Sequence, residues 1–399
     1  MASPTRVSLK SFLTTARKAL TAPATHRPNP LTFVIGNESA DLDSLCSAVL
    51  LAYFRTHTPP NTLHIPLSNL PRSDLALHPE LNAVLRPAGL TPDDLLTLTD
   101  LPTSGLAPDQ TRWLLVDHNV PTGLFHSQFT SSSTSGNLLI GCIDHHGDEA
   151  VIPSSSETRV FAKCGSCASL VVSHYRSAWD SLVSDKNIDA EVAHLALGPI
   201  LIDTTNLESK EKTAELDVEA TKFAEGKIAE SLGYQRKGYH DEIQRLKEDI
   251  SGLGYRDVLR KDYKMWRDGG LNLGMSIVVQ GFGYLTTETG DPEGFLGALR
   301  EWREGQGLDV LAVMTVSNPE GRFTRELLMW AFGEDATEVV KQFVRRNGED
   351  LGLESWRRGE MDEERDGEWR ACWTQKGLKY SRKQVGPMLR EVMRDVSKL

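Results

Sequence analysis

The segment Leu31-Thr-Phe-Val-Ile35 is a short apolar run that leads into the polar stretch Gly36-Asn-Glu-Ser-Ala-Asp-Leu-Asp-Ser44. A helical pattern of apolar residues then occupies Leu45–Phe54. A continuous apolar run of this length is typical of a strand in a buried parallel sheet. The segment therefore predicts a strand, a polar loop at its carboxyl end and a helix.

Two later segments repeat this arrangement. Trp113–Val116 is followed by Asp117-His118-Asn119, and Leu138–Ile143 is followed by Asp144-His145-His146. In open α/β sheets the functional groups collect at the carboxyl ends of the strands. We therefore predict an α/β fold with a mainly parallel sheet flanked by helices, and we expect these polar clusters to converge at one edge of it.

The second half of the chain has an α/β pattern of its own. Its predicted strands are Leu271–Gln280, Leu308–Val316 and Glu326–Phe332, and its predicted helices are Asp291–Arg303 and Ala336–Arg346. A charged helix predicted over Leu207–Leu232 separates the two halves. We predict a helical or irregular segment over residues 1–29, a catalytic domain over 30–205, a helical linker over 206–235 and a smaller α/β domain over 236–399. The active site is expected in the cleft between the two domains.

Composition excludes several classes of protein. The 399 residues carry 44 basic and 55 acidic side chains, and 27 of the basic ones lie in residues 231–399, which suits a domain that binds an anion. A pI near 5.5 argues against general nucleic-acid binding. No apolar stretch approaches the ~18 residues that a membrane helix needs. Five cysteines, an odd number, indicate reduced thiols and an intracellular protein. We expect a cytoplasmic location, with a mitochondrial pool as the alternative because the first 20 residues are basic and lack acids.

Acidic and imidazole side chains at strand or helix ends form the candidate metal site: Asp41, Asp43, Asp117, His145, His146 and Asp203. Carboxylate oxygens with imidazole suit Mn²⁺, Co²⁺ or Mg²⁺, whereas a structural zinc site favours thiolates. A single Asp is more often a helix or turn cap. Capping alone does not account for the whole set, and a doubled histidine after an apolar strand is costly to place without a function.

Four motifs together resemble the DHH phosphoesterase superfamily: Asn37–Ser44, Val116–Asn119, Asp144–His146 and Ile202–Thr204. The second half resembles the associated DHHA2 domain, with Ser381-Arg-Lys-Gln-Val385 matching its phosphate-binding signature. Within the superfamily the sequence is most similar to the fungal cytosolic exopolyphosphatases, which are related to the family II inorganic pyrophosphatases and to the prune proteins.

The resemblance implies a role for each motif residue. Two divalent ions would bind at the site, with Asp117 as the bridging ligand. Asn37 and Asp41 would hold one ion, and Asp43, His145 and Asp203 would hold the other. His146 would lie against the substrate phosphate and take part in catalysis with Asp117. The residues implied to contact substrate are His145, His146, Lys264, Arg382 and Lys383.

The implied activity is hydrolysis of the terminal phosphoanhydride of inorganic polyphosphate by a metal-activated water. The alternatives are a manganese-dependent inorganic pyrophosphatase, or a prune-like nucleotide phosphodiesterase or interaction protein. Asn37 favours polyphosphate, because the pyrophosphatases have His at this position, and an amide oxygen favours Mg²⁺ over softer ions. We expect a monomer that binds polyphosphate, without a membrane or a specific nucleic-acid partner.

The last two predictions concern the C-x-x-C segment and the start of the last helix. The C-x-x-C of Cys164–Cys167 has neither a second pair for zinc nor a thioredoxin-like context. It resembles a Gly-Ser loop of the family, so we expect close backbone packing near the metals. The last helix is expected to begin near Pro387, which would place Arg382 and Lys383 just before it.

Overall fold

The structure is a computed structural model of the chain. It describes residues 6–59, 61–102, 106–121, 138–229, 233–288, 292–365 and 367–397. Residues 1–5 of the predicted N-terminal segment and 230–232 of the predicted linker therefore lie outside the described residues. The chain divides into two compact units, Met1–Lys247 and Glu248–Leu399.

The first unit is built on a five-stranded parallel sheet with the order β2-β1-β3-β4-β5. The predicted α/β fold with a mainly parallel sheet is confirmed. Strands β1, β3 and β4 follow the three apolar runs, and their residues are almost entirely buried, as expected for a sheet that is covered on both faces. The strands are β1 (Leu31–Ile35), β2 (His64–Leu67), β3 (Thr111–Val116), β4 (Leu139–Asp144) and β5 (Thr158–Phe161).

Helices with buried apolar faces cover this sheet. Aromatic side chains fill the space between the layers, including Phe33 and Trp113, whose rings stack with centroids 4.6 Å apart. The first helix contributes five buried apolar side chains to the same core, so the N-terminal segment is part of the unit. The helices are α1 (Leu9–Thr21), α2 (Leu42–His57), α3 (Glu80–Leu85), α4 (Cys167–Ser181), α5 (Lys186–Asp203), α6 (Glu215–Glu225) and α7 (Arg236–Glu248).

Two features of the first unit differ from the sequence prediction. The edge strands β2 and β5 were not predicted, because each has only four residues and Pro66 breaks the pattern of β2. Proline is tolerated there because an edge strand needs donors on one side only. The charged helix predicted over Leu207–Leu232 is the shorter α6. Thr205, Asn206 and Leu207 have φ between 52° and 66°, a left-handed conformation that excludes a helix at these positions.

The second unit contains a seven-stranded mixed sheet with the order β10-β12-β9-β8-β7-β6, and β11 pairs with β12. Its three predicted strands are confirmed as β7, β8 and β9. The strand β12 was not predicted, because its sequence Glu368-Trp-Arg-Ala-Cys-Trp-Thr-Gln375 is neither a continuous apolar run nor a regular alternation of apolar and polar residues. The strands are β6 (Tyr263–Asp268), β7 (Leu271–Val278), β8 (Val310–Thr315), β9 (Glu326–Phe332), β10 (Leu353–Ser355), β11 (Glu363–Arg365) and β12 (Glu368–Gln375).

The helices of the second unit are α8 (Tyr255–Lys261), α9 (Pro292–Gln306), α10 (Glu334–Leu351) and α11 (Arg382–Val396). The expected start of the last helix near Pro387 is wrong. Ser381 caps α11 through its hydroxyl, which accepts from the backbone of Lys383, and Gln384 bonds back to Ser381. This capping box starts the helix one turn earlier and places Arg382 in its first turn. Within the described residues, no helix is both long and apolar enough to cross a membrane.

Candidate metal centre

Asp117, His145 and His146 lie together at the carboxyl ends of β3 and β4. One ligand atom of each lies within 4.8 Å of the other two. Asp117 Oδ1 is 3.1 Å from Nε2 of His145 and 3.8 Å from Nδ1 of His146. The strand order explains this, because β3 and β4 are adjacent and parallel and so end at the same edge. Asp117 has a φ of 61°, a strained backbone conformation of the kind found at functional sites.

The other oxygen of Asp117 is held by the polar loop that follows β1. Asp117 Oδ2 accepts from Asn37 Nδ2 at 2.7 Å and from the Ser44 hydroxyl at 2.6 Å. The Asn37 Oδ1 atom accepts from the backbone N–H of Ser39 at 2.9 Å, which fixes the orientation of the amide. Asn37 therefore presents its NH₂ group to Asp117 in this structure. Its role as a direct metal ligand stays a prediction.

Hydrogen bonding fixes the tautomer of His145. Its Nδ1 lies 3.1 Å from the carbonyl oxygen of Cys164, and a carbonyl can only accept, so Nδ1 carries a hydrogen. In a neutral ring Nε2 is then an acceptor, and it faces the acceptor Oδ1 of Asp117. Two acceptors at this separation require a proton or a cation between them. The two facing atoms, Asp117 Oδ1 and His145 Nε2, are suitable ligands for a divalent metal ion.

Asp43 is buried on α2 behind this cluster. Its carboxylate accepts from the Ser166 hydroxyl at 2.8 Å, and from the backbone N–H groups of Cys167 at 2.6 Å and Ala168 at 3.0 Å. Burial, followed by the negative charges of Asp117 and Asp203, raises the pKa of Asp43 to about 8. Buried carboxylates that lie close together are unfavourable without a positive charge near them. A divalent ion beside Asp43, Asp117 and Asp203 would supply that charge.

The two remaining predicted acidic ligands lie at helix ends. Asp41 is the N-cap of α2, where its Oδ1 accepts from the backbone of Ser44 at 3.0 Å. The capping role therefore applies to one of its oxygens. Asp203 is the last residue of α5 and is half-buried. Both contribute to the raised pKa of Asp43, so the structure brings them into electrostatic range of it.

His146 is oriented by a second carboxylate. Its Nδ1 lies 2.7 Å from Oδ1 of Asp144, and Asn119 donates to the other oxygen of Asp144 at 2.5 Å. Burial alone would raise the pKa of Asp144, but the hydrogen bond and charge of His146, with the bond from Asn119, bring it below its usual value. Asp144 therefore holds the His146 ring, and neither Asp144 nor Asn119 was among the predicted site residues.

A further residue that the sequence reasoning missed is Asp217, which is fully buried. Its carboxylate accepts from the backbone of Gly165 at 2.8 Å, Ser166 at 3.3 Å and Ala214 at 2.8 Å, and from the Ser169 hydroxyl at 2.6 Å. Asp217 thereby fastens the loop that donates to Asp43. Its position near the start of a charged helix looks like ordinary capping, so the sequence offers no signal of this link.

The predicted close packing of the C-x-x-C loop is seen at Gly165. A Cβ atom there would lie 2.5 Å from the carbonyl oxygen of Lys212 and 2.6 Å from a methyl group of Thr204, so only glycine fits. Cys164 and Cys167 are free thiols, as are the other three cysteines. The motif thus supplies backbone donors to the site.

Three predicted substrate cations lie in the second unit. Lys264 is on β6, and Arg382 and Lys383 are in the first turn of α11. Arg382 Nη2 is 2.6 Å from Oδ1 of Asp262, and its Nη1 donates to the carbonyl oxygen of Asp262 at 3.0 Å. This pairing fastens Arg382 beside the start of the strand that carries Lys264. Substrate contact by these cations stays a prediction.

The first unit has a parallel sheet whose third and fourth strands end at Asp117, His145 and His146, and a second α/β unit follows along the chain. The chain belongs to the DHH family: the DHH family N-terminal domain matches residues 32–200, and the DHHA2 domain matches residues 241–392. The chain is therefore a hydrolase of the DHH phosphoesterase type.

Known relatives agree with this assignment. A Schizosaccharomyces pombe protein named “Putative exopolyphosphatase” is 30% identical over 397 residues, which are 98% of this chain and 97% of that protein. A “Manganese-dependent inorganic pyrophosphatase” of Methanocaldococcus jannaschii is 26% identical over 62% of this chain and 70% of its own length. The crystal structure of a Methanococcus jannaschii “putative family II inorganic pyrophosphatase” has the same fold, with a TM-score of 0.58 at 21% identity over 91% of this chain and 99% of that one.

Proposed function

We propose that the protein is an exopolyphosphatase that releases orthophosphate from the end of inorganic polyphosphate. The observation that carries the proposal is the facing pair of acceptors, Asp117 Oδ1 and His145 Nε2, within a group of buried carboxylates. Such a group suits a divalent cation, and the substrate is suggested by the relative with an exopolyphosphatase name that matches nearly the whole chain.

Two divalent ions, Mg²⁺, Mn²⁺ or Co²⁺, are proposed as cofactors. The residues proposed to hold them are Asn37, Asp41, Asp43, Asp117, His145 and Asp203. When bound, the ions would lower the pKa of a water molecule and supply a nucleophile at neutral pH. The chain itself fixes the ligand orientations: Asn37 and Ser44 hold one oxygen of Asp117, and the Cys164 carbonyl holds the His145 ring.

His146 is proposed to act on the substrate phosphate. Its Nδ1–H donates to Asp144, so this carboxylate stabilises a positive charge on the ring and leaves Nε2 as the nitrogen that can donate to a phosphate oxygen. An imidazole steadied in this way is suited to donate to charge that develops on the attacked group. The closeness of His146 to Asp117 supports this role.

The leaving group is a chain of phosphates with growing negative charge. We propose that Lys264, Arg382 and Lys383 bind it. Arg382 is held by Asp262 through two of its nitrogens, so its remaining N–H groups have a defined direction, and lysine supplies a compact charge. Neutralising these cations should raise the KM for polyphosphate more than it lowers kcat.

Inorganic pyrophosphatase is the second candidate, favoured by the manganese-dependent pyrophosphatase that is similar to 62% of this chain. The orientation of Asn37 bears on the choice. An asparagine that donates to Asp117 leaves the site with one imidazole fewer than the resemblance implies for a pyrophosphatase. Softer ions should therefore bind less tightly, and Mg²⁺ should support the reaction.

The deciding experiment measures orthophosphate release from long-chain polyphosphate and from pyrophosphate, and nucleoside monophosphate formation from a cyclic nucleotide, each with Mg²⁺, Mn²⁺ and Co²⁺. We expect the largest kcat/KM on polyphosphate. Asp117→Asn should abolish it, whereas Asp109→Asn, an exposed acid at the opposite end of β3, should not. A larger kcat/KM on pyrophosphate would assign the second candidate, and equal effects of the two substitutions would exclude Asp117 from the site.

A further inference from the structure

Arg325 is a buried arginine in the second unit that none of the roles above uses. It directly precedes β9 and lies opposite Gln375 at the end of β12, with 4% of its surface exposed. Its Nε donates to the carbonyl oxygen of Leu378 at 2.9 Å. The Phe323 ring lies over the guanidinium, with its centroid 5.0 Å from Cζ. The side chain is thus held in place at one nitrogen and along one face.

The charge of Arg325 is not neutralised by the chain. In the part of the chain that the structure describes, no carboxylate lies within ion-pair distance of Arg325, and its two terminal nitrogens form no hydrogen bond. Arg370, which is also buried, pairs with Glu363 at 3.1 Å. Burial alone lowers the pKa of Arg325, without any opposing acid. A buried and unpaired charge is strongly unfavourable, so it calls for a reason.

Fastening the adjacent loop is the simplest structural reason, but it does not require a charge. Gln375 already holds this loop, because its amide donates to the carbonyl oxygens of Gly377 at 2.9 Å and Tyr380 at 2.7 Å. A neutral donor at position 325 would serve Leu378 equally well. The two terminal nitrogens of Arg325 are not completely buried, so solvent reaches them.

The loop above Arg325 is itself basic. Residues 376–383 contain four cations and no acid: Lys376, Lys379, Arg382 and Lys383. Lys379 is exposed and lies over the Tyr380 ring at 5.0 Å, and the described residues offer it no carboxylate. Two of the four cations are balanced by acids, because Arg382 pairs with Asp262 and Lys376 pairs with Glu354. An anion bound beside Lys379 would offset the charge of that lysine.

We propose that Arg325 and Lys379 form a phosphate-binding subsite in addition to the one proposed for Arg382 and Lys383. It would take a phosphate group of a polyphosphate chain beyond the groups at the reacting end. The assignment of polyphosphate as the ligand rests on the proposed function. The planar guanidinium bonds to Leu378 through Nε, and its two terminal nitrogens suit two parallel hydrogen bonds to phosphate oxygens. Lys379 adds a mobile point charge at the rim.

The test compares the wild-type chain with Arg325→Gln, and with Arg345→Gln as a matched control on an exposed arginine that pairs with Glu338. Binding of polyphosphate of about 100 phosphates, of pyrophosphate and of orthophosphate is measured by calorimetry without added metal. We expect the dissociation constant for the long chain to rise at least tenfold in Arg325→Gln, that for pyrophosphate to change less than twofold, and Arg345→Gln to behave as wild type.

Stability provides the second readout. Because the substitution removes an unpaired buried charge, the ligand-free Arg325→Gln protein should melt at the same temperature as wild type or higher, and polyphosphate should raise that temperature less than in wild type. A melting temperature lowered by several degrees, together with unchanged polyphosphate affinity, would make Arg325 a structural residue and overturn the subsite. If Arg325→Gln fails to fold, Arg325→Lys keeps the charge, and an unchanged affinity of that variant would refute the two-bond geometry.

The affinity for orthophosphate shows whether the subsite binds free phosphate or a phosphate group of a polyphosphate chain. An equal loss of affinity for orthophosphate and for the long chain would assign the site to free phosphate and overturn the chain assignment. Failure of the proposed function has a separate signature. A protein that binds polyphosphate through Arg325 but does not hydrolyse it would leave the subsite standing and remove the exopolyphosphatase activity.

Discussion

Replacing Asp217 with asparagine tests whether a residue outside the metal cluster holds the cluster together. The two carboxylate oxygens of Asp217 each accept from two donors: Oδ2 from Gly165 and Ala214, and Oδ1 from Ser166 and Ser169. Asparagine turns one oxygen into an NH₂ group. The amide can turn its NH₂ group toward Ser166 and Ser169, where the Ser169 hydroxyl can accept from it, so one buried donor, the backbone N–H of Ser166, loses its acceptor.

The magnitude follows from this count. A buried donor that loses its acceptor costs about 1–3 kcal/mol, so the substitution predicts a loss of about 2 kcal/mol in the free energy of unfolding of the first unit. In a domain of this size that loss lowers the melting temperature by roughly 4–8 °C. Glu219→Gln is the control, since Glu219 is exposed on the same helix, and it should change the free energy by less than about 0.5 kcal/mol.

The affinity for metal is a second measurement, and it would not change if Asp217 had a purely structural role. The loop that Asp217 fastens donates to Asp43 through Ser166, Cys167 and Ala168, so a displaced loop leaves Asp43 misdirected. Calorimetry at a temperature where the variant is still folded should show Mn²⁺ affinity at least tenfold weaker than wild type. A melting temperature within about 2 °C of the control, or an unchanged Mn²⁺ affinity in the folded variant, would refute the reasoning.

Three further outcomes are expected. Gly165→Ala should destabilise the first unit by about 1–3 kcal/mol in urea unfolding, because the new Cβ meets the Lys212 carbonyl, and a neutral effect would show that the loop can shift. His146→Gln should lower kcat at least 100-fold with little change in bound metal, and loss of a metal by elemental analysis would make His146 a ligand. Arg382→Gln should raise the KM for polyphosphate at least fivefold at low salt and less at high salt, since screening weakens ionic contacts. A KM that stays unchanged would limit Arg382 to its contact with Asp262.

The central strands and their polar ends could be predicted because local sequence and tertiary position agree there. β1, β3 and β4 are buried on both faces, so most of their residues are apolar, and the change to polar residues marks the strand end. The convergence of Asp117 with His145 and His146 then follows from the parallel order of the strands. The residue types of these three side chains and the order of the strands therefore both predict a site at the carboxyl ends of β3 and β4.

Other features of the fold and the site depend on tertiary contacts that the local sequence does not indicate. The four-residue edge strands are too short to show a period. Pro387 is typical of a first helical turn, but the capping box at Ser381 starts the helix before it. Asn37 has the composition of a ligand, but the N–H of Ser39 decides which end of its amide faces Asp117. The partners of Asp217 come from a loop 52 residues earlier, which no local pattern encodes.

The spacing of the site along the chain has a consequence for how the protein is made. Asn37 and Asp117 are 80 residues apart, and Asp43 meets Ser166 across 123 residues. A ribosome must therefore deliver the chain through Asp217 before the loop beneath the site can be fastened. The proposed metal ligands run from Asn37 to Asp203, so the complete set exists only after this long-range pairing has formed. A divalent ion that bound the complete set would stabilise the folded unit against unfolding.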